Sequence, residues 1–81
     1  MLEQLKNLCK TKNVEFVKYE VRKDEHNEYI YVFTNNGIYE ASYKKKMQST
    51  CFKNYNFEWF MRKITDKHYN LMVEYTTIIE K

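Results

Sequence analysis

Residues 28–43 read Glu28-Tyr29-Ile30-Tyr31-Val32-Phe33-Thr34-Asn35-Asn36-Gly37-Ile38-Tyr39-Glu40-Ala41-Ser42-Tyr43, and this stretch decides the fold. Two runs rich in β-branched and aromatic residues flank Asn36-Gly37. Asn-Gly between such runs is the strongest short-range hairpin signal, because both residues of the tight turn take a positive φ. The one glycine of the chain therefore stands at the turn. Counting outward from a turn at Asn36-Gly37 sets Thr34 opposite Tyr39, Val32 opposite Ala41 and Ile30 opposite Tyr43. On the other face Phe33 opposes Glu40, Tyr31 opposes Ser42 and Tyr29 opposes Lys44. Side chains alternate across a strand, so the first, charge-free set suits a core. The second set suits a surface facing solvent or a partner, unless a helix covers that face too.

Toward the N-terminus, residues 14–22 predict another strand, in which Val17, Tyr19 and Val21 alternate with Lys18, Glu20 and Arg22. Val14 and Phe16 fall in the opposite phase. A bulge near Phe16-Val17, or a strand covered on both faces, accounts for the slip. The polar residues 23–27 are the loop of a first hairpin. Before them, Leu2, Leu5, Leu8 and Cys9 recur at helical spacing, which predicts a short amphipathic helix ending near residues 11–13. Such a helix is too short to stand alone and must dock its leucines.

Toward the C-terminus, Lys44-Lys45-Lys46 leads out of the third strand. Phe57, Phe60, Met61 and Ile64 follow at i, i+3, i+4 and i+7, the stripe of an amphipathic helix that Asn54 or Asn56 could cap. In residues 71–80 a strand-like alternation of Leu71, Val73, Tyr75, Thr77 and Ile79 competes with helical spacing of Leu71, Met72, Tyr75, Ile78 and Ile79. The expected fold class is α+β. Residues 1–81 form one small domain: an N-terminal helix, a three-stranded antiparallel sheet, an amphipathic helix packed on it, and a C-terminal strand or helix.

Composition narrows the function classes. The chain has 81 residues, of which 43% are apolar and 17% aromatic, enough to offset the entropy of ordering. A domain this small buries only roughly 60% of its unfolded surface, which leaves little room for a deep enclosed active site. One glycine excludes glycine-rich phosphate loops, which need several. Cys9 and Cys51 read as reduced, buried thiols rather than nucleophiles. His26 lies in a polar loop, His68 near a helix end where a cation suits the dipole, and Glu58 at a helix start. None of these falls at zinc-ligand spacing. Asp24 and Glu25 read as solvated loop residues. The expectation is a protein without catalytic activity, metal or other cofactor. With no membrane-length apolar run or signal-peptide pattern, a cytoplasmic location is expected.

Two surfaces remain as candidates. Eight Tyr, five Phe and one Trp exceed what one thin core can enclose, and Tyr and Trp dominate interface hot spots. An exposed set of Tyr29, Tyr31 and Phe33 with Glu40 would bind a protein partner. The other surface is basic. Residues 41–70 carry seven basic side chains (Lys44, Lys45, Lys46, Lys53, Arg62, Lys63, Lys67) against two acidic ones (Glu58, Asp66), a balance of +5 within a total of +3. Lys44, Lys45, Lys46, Lys53, Arg62 and Lys63, with Tyr43, Phe52, Tyr55 and Trp59 interleaved, could hold phosphates and stack bases. Self-association through a sheet edge or the aromatic face is a third reading.

The order and size of the elements at residues 2–9, the strands ending in Thr34-Asn35-Asn36-Gly37, and residues 57–64 resemble small phage-encoded inhibitors of host machinery. Notable among them are type II anti-CRISPR inhibitors with a helix, three antiparallel strands and further helices. The resemblance covers most of the chain in order and size, not in motifs. It implies a viral protein that blocks a host protein such as a defence complex. Many such inhibitors mimic DNA with acidic surfaces, and this chain departs from them in being basic, so no binding residue carries over. The high Lys and Asn content fits an AT-rich genome.

Overall fold

A computed structural model describes residues 1–47 and 55–80, with side chains described over 1–43 and 58–80. Helix α1 (Leu2–Thr11) is followed by strands β1 (Phe16–Lys23), β2 (Glu28–Thr34), β3 (Gly37–Met47) and β4 (Tyr55–Ile64), helix α2 (Asp66–Tyr75) and strand β5 (Thr77–Glu80). The fold is α+β. The sheet has five strands rather than three, in the order β4-β3-β2-β1-β5, and every pairing is antiparallel.

Leu5 and Cys9 of α1 are fully buried against Val21, Ile30, Val32, Tyr39, Ala41 and Met61, which come from four strands of one sheet face. The helix stops through a Schellman motif. Asn13 takes φ 59°, its N–H donates to Lys10 O at 3.0 Å, and the Val14 N–H donates to Cys9 O at 2.9 Å. Val14 then packs on the core. The phase slip in β1 is a register irregularity between Phe16 and Lys18, and it leaves Val17 63% exposed.

The β2–β3 turn differs from the expected one by a single residue. Asn35 and Asn36 form it, and Gly37 opens β3 opposite Thr34. Neither asparagine has a positive φ; the positive angle, 107°, belongs to Gly37. Turns of this kind carry one left-handed residue after the turn instead of two within it. Hydrogen bonds within the turn and from it to Glu15 explain the choice. The Thr34 hydroxyl donates to Gly37 O at 2.9 Å and accepts from the Asn36 N–H at 3.0 Å. The Asn35 side chain accepts from the Glu15 N–H at 2.9 Å, while its own N–H donates to Glu15 O at 3.1 Å. Register moves by two residues, so Val32 meets Tyr39 and Ile30 meets Ala41. An even shift keeps each side chain on its expected face.

The amphipathic helix expected over 57–64 is instead β4, paired with β3 from Ile38↔Ile64 to Met47↔Tyr55. Asn56 is a strand residue opposite Lys46, and Glu58 stands mid-strand opposite Lys44 rather than at a helix start. Asn54 lies outside the described residues. The alternation that prevails is Tyr55, Phe57, Trp59 and Met61, a period of two. Met61 is buried in the core and Trp59 packs against it.

Both readings of the last segment hold in part. Helix α2 runs to Tyr75, capped by Thr65, whose hydroxyl accepts from the His68 N–H at 3.1 Å. Strand β5 begins at Thr77 and pairs with β1.

Candidate binding surface

Helix α2 lies across the aromatic sheet face, so that face is an inner layer of the fold. Tyr31 is 0% exposed. Its ring stacks on Tyr29 at 6.5 Å and meets the edge of Tyr69 at 5.4 Å. Phe33 is half-buried, 5.3 Å from the Tyr69 ring, with the Lys18 ammonium 4.7 Å from its centroid. Glu40 faces Arg62 at 3.5 Å and His68 at 3.8 Å. The expected protein-binding set of Tyr29, Tyr31, Phe33 and Glu40 is thus brought together, but beneath α2. His68 is in the first turn of α2, the opposite end from the one its charge would favour.

Tyr69 clasps the helix to the sheet. Its hydroxyl donates to Glu20, a carboxylate only 7% exposed, whose Oε1 also lies 3.5 Å from Arg22 Nε. Arg22 in turn donates to Thr76 O at 3.4 Å, holding the α2–β5 junction. The Tyr31 hydroxyl is buried with no hydrogen-bond partner among the described residues. Burial first, and then the charge of Glu40, push its ionisation up to about 12.

A cleft of about 860 Å³ separates the β1–β2 loop from α2 and is lined by Asp24, His26, Tyr29, Met72 and Tyr75 among others. Of its two carboxylates, Asp24 and Glu25, the first is already engaged. Asp24 Oδ1 accepts from the N–H groups of His26 (2.8 Å) and Asn27 (2.7 Å), and Oδ2 accepts from the Tyr29 hydroxyl (2.9 Å). These donors, the His26 N–H foremost, hold the carboxyl below its ordinary value. Such a group is a poor proton acceptor; it fastens the loop. Because its folded-state pKa is depressed, its contribution to stability is full above the ordinary carboxylate range. That contribution is lost as pH falls through the folded value. Thermal melts taken from neutral pH to about pH 2 are expected to show a shallower acid slope for Asp24→Asn than for the parent. Equal slopes would refute this role.

The sheet has one unfinished region. β2 pairs with β3 only as far as Ala41, whereas the β3–β4 ladder continues to Met47↔Tyr55. Residues 42–47 and 55–60 therefore form a two-stranded ribbon beyond the body. Tyr43 at its base is 54% exposed, its ring 5.0 Å from Trp59, and Phe60 is 43% exposed. Lys44, Lys45 and Lys46 follow along β3. The basic set does not converge on one spot. Lys53 lies outside the described residues, as do Cys51 and Phe52. Arg62 and Lys63 sit about 13 Å back along the ribbon from the level of Lys44, by strand rise, on alternate faces.

Beside the ribbon's base lies a groove of about 400 Å³ on the α1 side of the sheet. Val21, Ile30 and Ala41, all buried, form its floor, and the exposed Asn27, Ser42 and Tyr43 border it. The basic run was legible in the sequence. The groove was not, since it joins residues of three strands. Cys9 is free and buried, and burial pushes its thiol up, as suits a packing residue. Among the described residues, no three His, Cys, Asp or Glu side chains are grouped to hold a metal ion. Among the same residues, no helix is long and apolar enough to cross a membrane. No family model, no curated protein and no solved structure matches the chain at a significant level.

Proposed function

We propose that this protein is a small non-enzymatic binding module that regulates or blocks a macromolecular partner, and that the β3–β4 ribbon engages nucleic acid. The observation that carries the reading is the ribbon itself. It extends past the third strand, holds Lys44, Lys45 and Lys46 in sequence and carries an exposed Tyr43 at its base. A two-stranded ribbon is narrow enough for a DNA groove, and lysines along it neutralise phosphates. The carboxylates Glu20, Asp24 and Glu40 are all occupied by donors or cations of the fold, which supports a role without catalysis.

Gel-shift titration with a mixed-sequence DNA and RNA at two salt concentrations tests the proposal. Binding at low salt that weakens steeply at high salt is expected, with a lower salt slope for the triple variant of Lys44, Lys45 and Lys46 to Gln. Absence of any shift at low salt removes this reading.

A second reading, a phage or mobile-element inhibitor of a host protein such as a defence complex, draws on a different surface. Leu71 and Tyr75, one turn apart on α2, are 50% and 70% exposed, with Ile79 of β5 at 46%. Affinity capture from a host lysate that survives Tyr31→Phe but fails with Leu71→Ser and Tyr75→Ser would favour it.

A further inference from the structure

We infer that residues 66–80, helix α2 with strand β5, form a displaceable cover hinged at Thr65, which gates the aromatic face of a sheet that stays folded when the cover lifts. The inference depends on neither functional reading.

The cover is not held as α1 is. Both helices have 10 residues, but α1 buries Leu5 and Cys9, whereas of residues 66–80 only Thr76 is buried. Leu71, Val73, Tyr75 and Ile79 are exposed instead. Much of the attachment is polar. The Tyr69 hydroxyl donates to Glu20, Arg22 donates to Thr76 O, His68 stands beside Glu40, and the Tyr19 hydroxyl donates to Glu80 at 2.6 Å. The Tyr69 ring on Tyr31 and Phe33, and the short β5–β1 ladder with its irregularity between Val21 and Arg22, complete it. Water takes the place of each polar partner when the cover lifts, so these bonds hold it only by the net difference between two hydrogen-bonded states.

Closure also works against one group beneath it. The Tyr31 hydroxyl, on a fully buried side chain, has no hydrogen-bond partner among the described residues. Lifting the cover gives it one in water. Glu20 on β1 and Glu40 on β3 stand opposite Tyr31 in the two ladders, one buried and one half-buried. The helix thus draws two carboxylates from water together with that hydroxyl. Thr65 is extended (φ −81°, ψ 156°) between the terminal pair Ile38↔Ile64 and the start of α2. Strand β5 is at the sheet edge. The cover can therefore leave without breaking any pairing among β1 to β4, and its departure uncovers Tyr29, Tyr31 and Phe33.

Native-state amide exchange of the full chain in a urea series tests this cover. A helix of 10 residues released from the sheet is too short to hold in water, so lifting is read as exchange over α2. Protection of α2 amides is expected to be about a hundredfold or more below that of β2 and β3, with a shallow urea dependence because little surface is uncovered. Tyr31→Phe removes the stranded hydroxyl and should slow α2 exchange about fivefold. Tyr69→Phe should speed it about tenfold or more. Equal protection and equal urea slopes over α2, β2 and β3 would show that the domain opens only as a whole, and would overturn the cover. So would α2 exchange that Tyr31→Phe leaves unchanged or accelerates.

Discussion

Tyr69→Ala is expected to destabilise the protein by about 3 kcal/mol or more, the range seen when a large aromatic side chain is truncated. The domain as a whole, at roughly 0.05–0.15 kcal/mol per residue, holds only about 4–12 kcal/mol. Helix α2 contributes no fully buried side chain. Its attachment rests on the edge contacts of Tyr69 with Tyr31 and Phe33 and on its hydroxyl on Glu20, with Arg22 on Thr76 O and His68 beside Glu40 adding to them. Removing the ring uncovers Tyr31 and leaves a buried carboxylate without one of its donors. Tyr69→Phe separates the two contributions. It keeps both ring contacts and loses only a hydrogen bond to a charged group, about 1.5–3 kcal/mol. Urea denaturation of the two variants measures both. A Tyr69→Ala variant within about 0.5 kcal/mol of the parent, the range of ordinary surface substitutions, would show that α2 is held by something else.

Leu5→Ala acts on the opposite face with an effect of similar size. Leu5 is 0% exposed and sits at the centre of the α1 contact with Val32 and its neighbours. Leu-to-Ala substitutions at such sites cost about 2.7–5 kcal/mol, depending on how far the cavity collapses. Helix α1 has 10 residues, shorter than the length at which an isolated helix holds in water. Weakened docking therefore releases the helix as well as opening a cavity. The expected result is a lower urea midpoint, together with faster amide exchange over α1. Retained protection of α1 at parent levels would refute the account.

Where the sequence was legible, one local cause dominated. The spacing of Leu2, Leu5, Leu8 and Cys9 located α1, and the phase slip at Phe16-Val17 marked the irregularity in β1. The β-rich runs around Asn36-Gly37 located the central hairpin and both of its faces. The exact turn was not legible, because Asn35 is held by Glu15, twenty residues away in sequence. Segment 57–64 misled because Phe57, Phe60, Met61 and Ile64 satisfy a helical period while Tyr55, Phe57, Trp59 and Met61 satisfy a strand period. Long-range pairing with β3 settles such a conflict, although the two-residue aromatic alternation was there to be weighed. The fate of Tyr31 was undecidable for a similar reason. Whether an aromatic row is surface or interior depends on α2, whose key residue, Tyr69, lies outside every motif. The basic run at Lys44–Lys46 was legible in composition, but its place on a two-stranded extension of the sheet required knowing where β2 stops.

The strand order has a kinetic consequence. Strands β1 to β4 follow the chain as successive hairpins, each closed by a short connection, except that the β3–β4 link is longer. Strand β5 must instead return across the molecule to reach β1. The contacts that secure α2 and its junction with β5 span 49 residues from Tyr69 to Glu20 and 54 from Arg22 to Thr76. Long closures of this kind carry their entropic cost before any contact rewards it. The meander therefore assembles first, and α2 with β5 seals it afterwards. In stopped-flow measurements the Tyr69→Phe penalty should appear almost wholly as faster unfolding, with the refolding rate unchanged. A slowed refolding arm would place the clasp in the folding nucleus instead. A module built this way can present its ribbon from the earliest compact stage of its folding, and the last event is the locking of its opposite face.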